Sequence, residues 1–91
     1  MKIDAIRRSY TKDKLDLDKL NQNPIAQFEL WLKDAIAAEL PDPTAMCVAT
    51  VDSTGQPSQR LVLLKDVNTD GFTFYTNLGS RKACELTGNP K

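Results

Sequence analysis

Apolar residues along the chain change their spacing twice. Ile25, Phe28, Trp31, Leu32, Ala35 and Ile36 recur every three or four positions, which lays one apolar stripe along a helix. Asn23 is a good N-cap, and Pro24 at the first helical position sacrifices no hydrogen bond. The spacing predicts a helix over 24–40, ended by Pro41-Asp42-Pro43, with Trp31 as a packing anchor and Leu30 off the stripe. Beyond Thr44 the apolar residues run together in short β-branched and aromatic stretches, separated by Gly, Asp, Asn and Pro. Three antiparallel strands are predicted, near 45–51, 59–66 and 72–76, with the helical stripe packed on them. Both faces of the first strand are largely apolar, so both are expected to be covered, with Cys47 a small core residue. Asp52-Ser53-Thr54-Gly55 and Asn68-Thr69-Asp70-Gly71 read as turns, and Pro57 is expected to delay the second strand to about Ser58. Ser80 caps a short helix that opens Arg81-Lys82. Residues 1–22 are polar and charge-mixed and read as a mobile arm. The fold class is α+β: one helix, a three-stranded meander and a short C-terminal helix.

Composition fits a soluble globular chain of one domain or less: 91 residues, 41% hydrophobic and 26% charged. Twelve Lys and Arg balance twelve Asp and Glu. A zero net charge argues against general binding to nucleic acid or an anionic membrane surface. The chain has no histidine and two cysteines, too few for a His/Cys metal site, and a Ser-His or Cys-His catalytic pair is excluded. No residue is singled out as catalytic. The first residues lack the apolar core of a secretion signal, and no apolar run is long enough to span a bilayer, so the cytoplasm is the expected compartment.

The candidate chemistry lies around Arg60-Leu61-Val62-Leu63-Leu64-Lys65. Four aliphatic residues stand between two cations, and a second pair, Arg81-Lys82, opens the last helix. A helix start presents free N–H groups and the positive end of a dipole, so basic residues there weaken the helix unless an anion sits nearby. Phosphate suits both the arginine fork and the lysine point charge. Solvated strand ends and an ordinary capped helix would explain the same residues. Arg60 and Lys65 are an odd number apart, so a regular strand points them to opposite faces. To serve one ligand, the strand must bulge or the ligand must wrap its end.

Three stretches together strongly resemble the pyridoxamine 5'-phosphate oxidase family: Asp42-Pro43-Thr44-Ala45-Met46, Arg60 to Lys65, and Phe74-Tyr75-Thr76-Asn77-Leu78-Gly79-Ser80-Arg81-Lys82. Arg7-Arg8-Ser9-Tyr10-Thr11-Lys12 and Phe28-Glu29-Leu30-Trp31-Leu32 match the same family in the same order. The resemblance implies an FMN-binding split β-barrel, a homodimer with FMN at the subunit interface, and oxidation of pyridoxamine or pyridoxine 5'-phosphate to pyridoxal 5'-phosphate by oxygen. It implies that Arg60, Leu61, Val62, Leu63, Leu64 and Lys65 line the FMN, together with Tyr75, Thr76, Arg81 and Lys82. Lys65 matches a substrate-phosphate contact, and Arg7, Arg8 and Tyr10 match an arm that closes over the substrate, although the family often has an acidic residue where Ser9 stands. Family members continue past Lys91, and their remaining part carries further FMN contacts and most of the substrate-phosphate ligands. The expectation is therefore a mobile arm over 1–22 and an incomplete split-barrel domain over 23–91, inactive alone. Two other readings stand beside it: a non-catalytic FMN- or phosphate-binding module, and a small α+β interaction domain without a ligand.

Overall fold

In the computed structural model, which describes residues 1–11 and 13–91, two helices flank two short β-hairpins. Lys12, in the expected arm, lies outside the described residues. The stretch before the first helix carries a single 3₁₀ turn, Leu17–Lys19, capped by the Asp16 carboxylate.

Helix α1 spans Pro24–Ala37. The Asn23 side chain accepts hydrogen bonds from the backbone N–H groups of Ile25 (2.9 Å) and Ala26 (3.3 Å), as expected of this cap. Asn23→Ala should therefore cost about 1 kcal/mol of stability, read as a lower urea midpoint with an unchanged slope. The helix lies within the expected span of about 24–40 and ends before the prolines reach it. Glu39 takes a left-handed conformation (φ 55°). Its N–H bonds the Ile36 carbonyl (3.0 Å) and the Leu40 N–H bonds the Ala35 carbonyl (3.2 Å). This pair of bonds is a Schellman stop, here with a glutamate where glycine is usual.

Strands β1 (Ala45–Val51) and β2 (Pro57–Leu63) form an antiparallel hairpin with Val48 opposite Arg60 and Thr50 opposite Ser58. Asp52 closes its turn by accepting from the N–H groups of Thr54 (2.8 Å) and Gln56 (2.9 Å) and from the Thr54 hydroxyl (2.6 Å). Pro57 does not delay the strand. It is the first residue of β2, opposite Val51, where a missing N–H is tolerated. Strands β3 (Asp66–Asn68) and β4 (Gly71–Thr73) make a second hairpin around Thr69-Asp70.

The expected meander of three strands is thus two separate hairpins. The predicted strand over 59–66 is split because the chain changes partner within it. The Leu64 N–H donates to the Thr44 carbonyl (2.9 Å), and the next N–H, of Lys65, donates to the Thr73 carbonyl (2.8 Å). Phe74, Tyr75 and Thr76, predicted as strand, lie beyond the end of β4.

Packing is concentrated on one face of each element. Phe28 of α1 meets Phe72 of β4 edge to face, with ring centroids 4.9 Å apart. Phe28 and Leu32 are half-buried, Leu64 is buried, and Trp31 and Leu30 are largely exposed, so Trp31 rims the helix–sheet groove and does not anchor it. The first hairpin is covered on one face only. Met46, Val48, Thr50, Ser58, Arg60 and Val62 are buried or half-buried, while Ala45, Cys47, Ala49, Leu61 and Leu63 are exposed. Cys47 is therefore a surface thiol, contrary to the core position expected of it.

Candidate anion site at the start of the second helix

Helix α2 spans Arg81–Gly88 and packs against β1. The Ser80 hydroxyl caps it, accepting from the Ala83 N–H (3.2 Å). That hydroxyl also lies 3.2 Å from the Thr76 hydroxyl, which accepts from Lys82 Nζ (3.0 Å). Thr76, Ser80 and Lys82 are thereby gathered at the helix start. Arg81 stands beside them with its Nε donating to Glu85 Oε1 (2.9 Å) and its side chain 65% exposed. Arginine carries five N–H donors in a planar fork, so engagement through Nε leaves the terminal N–H groups available to a ligand.

Glu85 links this start to the first hairpin. It is buried, and its Oε2 accepts from the hydroxyls of Thr50 and Ser58, the latter at 2.9 Å. Arg60 completes the network. Its Nη1 donates to the Thr50 hydroxyl (2.7 Å) and the Val48 carbonyl (3.2 Å), its Nη2 donates to the Ser58 hydroxyl (2.9 Å), and Nη2 lies 3.8 Å from Glu85 Oε2. Every buried side-chain polar atom among the described residues has a partner.

These bonds hold the Glu85 carboxyl below the usual glutamate range, the Thr50 hydroxyl first and Arg81 next, with Ser58 adding to them and burial opposing. The Asp52 carboxyl is likewise lowered, chiefly by the Thr54 hydroxyl and then by the Gln56 and Thr54 N–H groups. A depressed pKa in the folded state contributes stability that is complete above the unfolded value and disappears as pH falls through the folded value. Unfolding midpoints should therefore hold steady as pH falls toward 4.5, the ordinary glutamate value, and decline below it. Glu85→Gln should flatten that acid limb, leaving the part due to Asp52.

The other sequence-predicted residues are distributed differently. Lys65 lines a cavity of about 410 Å³ together with Glu29 and Lys33 of α1 and Asp66, and no residue of the Arg60 network lines it. The partner change at Leu64–Lys65 accounts for this, since Arg60 lies in the first hairpin while the Lys65 N–H already bonds Thr73 of the second. Leu61 and Leu63 lie on the open face, Val62 shares the covered face with Arg60, Leu64 is buried, and Tyr75 is 76% exposed. In the arm, Arg7 Nε donates to the Asp4 carbonyl (3.3 Å) and the Arg8 guanidinium sits 4.7 Å from the Tyr10 ring centroid, all exposed. These contacts are local to the arm.

Sequence reasoning missed Glu85, Thr50 and Ser58. A signal was available: Glu85 follows Arg81 by four residues, one helical turn, and Thr50, Ser58 and Arg60 form a polar cluster on an otherwise apolar strand face.

Comparison with known proteins gives a consistent result. A family model described as pyridoxamine 5'-phosphate oxidase matches residues 32–91. Curated pyridoxine/pyridoxamine 5'-phosphate oxidases are similar over all 91 residues, at 62% identity in Pseudoalteromonas translucida and 63% in Alteromonas mediterranea. The oxidase of Vibrio atlanticus is 60% identical over the same span. In each case the chain covers 43% of the relative's length.

Proposed function

The chain belongs to the pyridoxamine 5'-phosphate oxidase family, and from that premise we propose that the start of α2 seats the phosphate of FMN in a flavin-dependent oxidase of pyridoxamine or pyridoxine 5'-phosphate. The observation that carries this reading is the gathering of Thr76, Ser80, Lys82 and Arg81 at a capped helix start. The donor set fits a phosphate monoester: an exposed guanidinium fork, an ammonium, a hydroxyl and free backbone N–H groups. Arg60 lies behind this seat, joined to it through Glu85.

Bound FMN would supply the hydride-accepting chemistry, and the chain's own residues bind and orient. Arg81 and Lys82 neutralise the phosphate. Arg60 to Lys65 line one side of the flavin, Tyr75 flanks it, and Lys65 takes the substrate phosphate. Arg7, Arg8 and Tyr10, on an exposed arm, close over the substrate and exclude water. The remaining part of the split barrel and a second copy in a homodimer complete the site.

A second reading is a phosphate- or FMN-binding module without turnover. The exposure of Lys65 at an open cavity, without a residue of the Arg60 network in its lining, favours it, because a lone solvated cation holds a substrate phosphate weakly. Two measurements decide. Titration of the chain with FMN, followed by flavin fluorescence, should saturate; no binding would leave an interaction domain. Formation of pyridoxal 5'-phosphate from pyridoxamine 5'-phosphate, followed by absorbance, separates oxidase from module.

A further inference from the structure

Glu85 is the one charged side chain that is buried among the described residues, and it meets two arginines from different elements. Burying a carboxylate is costly unless it is fully partnered, and here the partners are both hydroxyls of the Thr50–Ser58 strand pair together with Arg81 and Arg60. Joining α2 to the hairpin would be served by the hydroxyls and Arg60 alone. Arg81 adds little burial, being largely exposed, and it stands N-terminal to Glu85, the less favourable order for a helical ion pair. Its engagement fixes a long side chain in one rotamer at the helix start. Lys82 is held separately, through Thr76, so the carboxylate acts on the arginines only.

We infer that Glu85 is a positioning residue for the phosphate seat, holding Arg81 directly and Arg60 through the Thr50 and Ser58 hydroxyls, so that their remaining N–H donors are already oriented when the ligand arrives. The inference rests on reading the α2 start as that seat. Fixing rotamer-rich side chains beforehand removes an entropic cost from binding. The same carboxylate reduces the net positive charge of the seat, so its loss has two opposite consequences. Weaker phosphate binding means that orientation dominates, and tighter binding means that charge dominates. The geometry favours orientation, since Glu85 is buried behind the arginines and not beside the exposed fork.

The test compares FMN with riboflavin, which lacks the phosphate, on the wild-type chain and on Glu85→Gln. A phosphate seat makes wild type prefer FMN. The substitution should reduce that preference at least about fivefold, from two side chains no longer pre-ordered, with riboflavin affinity unchanged. A merely structural residue would lower both affinities together. An unchanged or increased preference overturns the inference and leaves the proposed function standing. If wild type shows no preference, the phosphate reading itself fails. The arginine Nε–H resonances then decide the remaining claim: joint displacement of the Arg60 and Arg81 signals in Glu85→Gln supports it, and unmoved signals overturn it. Should Glu85→Gln lose its dispersed amide spectrum, Glu85→Asp is read the same way, since a carboxylate one methylene shorter no longer spans both arginines.

Discussion

Replacing Arg60 by alanine is expected to raise the FMN dissociation constant at least about tenfold, the loss of one charge-assisted hydrogen bond being worth roughly 1.5–3 kcal/mol. Two physical routes lead to this result. Arg60 is a proposed FMN contact, so a direct contact is lost. Arg60 also donates to Thr50, Ser58 and Val48, so its removal strips the covered face of the hairpin of three hydrogen bonds. Glu85 would keep Arg81 and the two hydroxyls but lose its second cation. Binding and folding are separated by circular dichroism and by Arg60→Lys, which retains the charge without the fork. Lysine should restore part of the affinity while the strand hydrogen bonds stay broken. An unchanged fluorescence titration for Arg60→Ala would remove this residue from the site.

The second large effect concerns turnover. The 91-residue chain alone, given excess FMN and pyridoxamine 5'-phosphate, should form pyridoxal 5'-phosphate far more slowly than a full-length relative. Lys65 is its proposed substrate-phosphate ligand, and that side chain is exposed at the rim of an open cavity, where water and salt screen a point charge. The flavin would lack a second wall, so water would reach the reacting carbon. The open face bearing Leu61 and Leu63 would favour self-association instead of a closed site. Turnover that returns when the remaining portion of a relative is supplied in trans would support this account. Turnover equal to the relative's without that portion would sink it.

Much of the fold was legible because the decisive signals are local. The Asn23-Pro24 start, β1, both turns and the Ser80 cap depend on residues next to one another. The end of α1 was not, because Glu39 adopts a conformation that its side chain disfavours and that only the surrounding bonds enforce. The split of the second strand was hidden for a different reason. Leu61, Val62, Leu63 and Leu64 are uniformly apolar, and nothing in that run says where the chain leaves one partner for another. The expectation that both faces of β1 are covered failed because apolarity states what a face favours, not what this chain places on it. The anion site was legible in its cations and illegible in its carboxylate, since Glu85 and Thr50 meet across 35 positions of sequence.

The arrangement of the core has a thermal consequence. Leu64 is the one buried apolar side chain among the described residues, and it sits at the step between the two hairpins. The heat capacity change of unfolding follows apolar surface newly exposed to water. For this chain it should fall below the common value of about 12–15 cal/mol/K per residue. Its stability curve is then shallow, with a broad melt and little loss of stability on cooling. A partner that covers the Leu61–Leu63 face would deepen that curve, and calorimetry would register the docking as a negative heat capacity of binding.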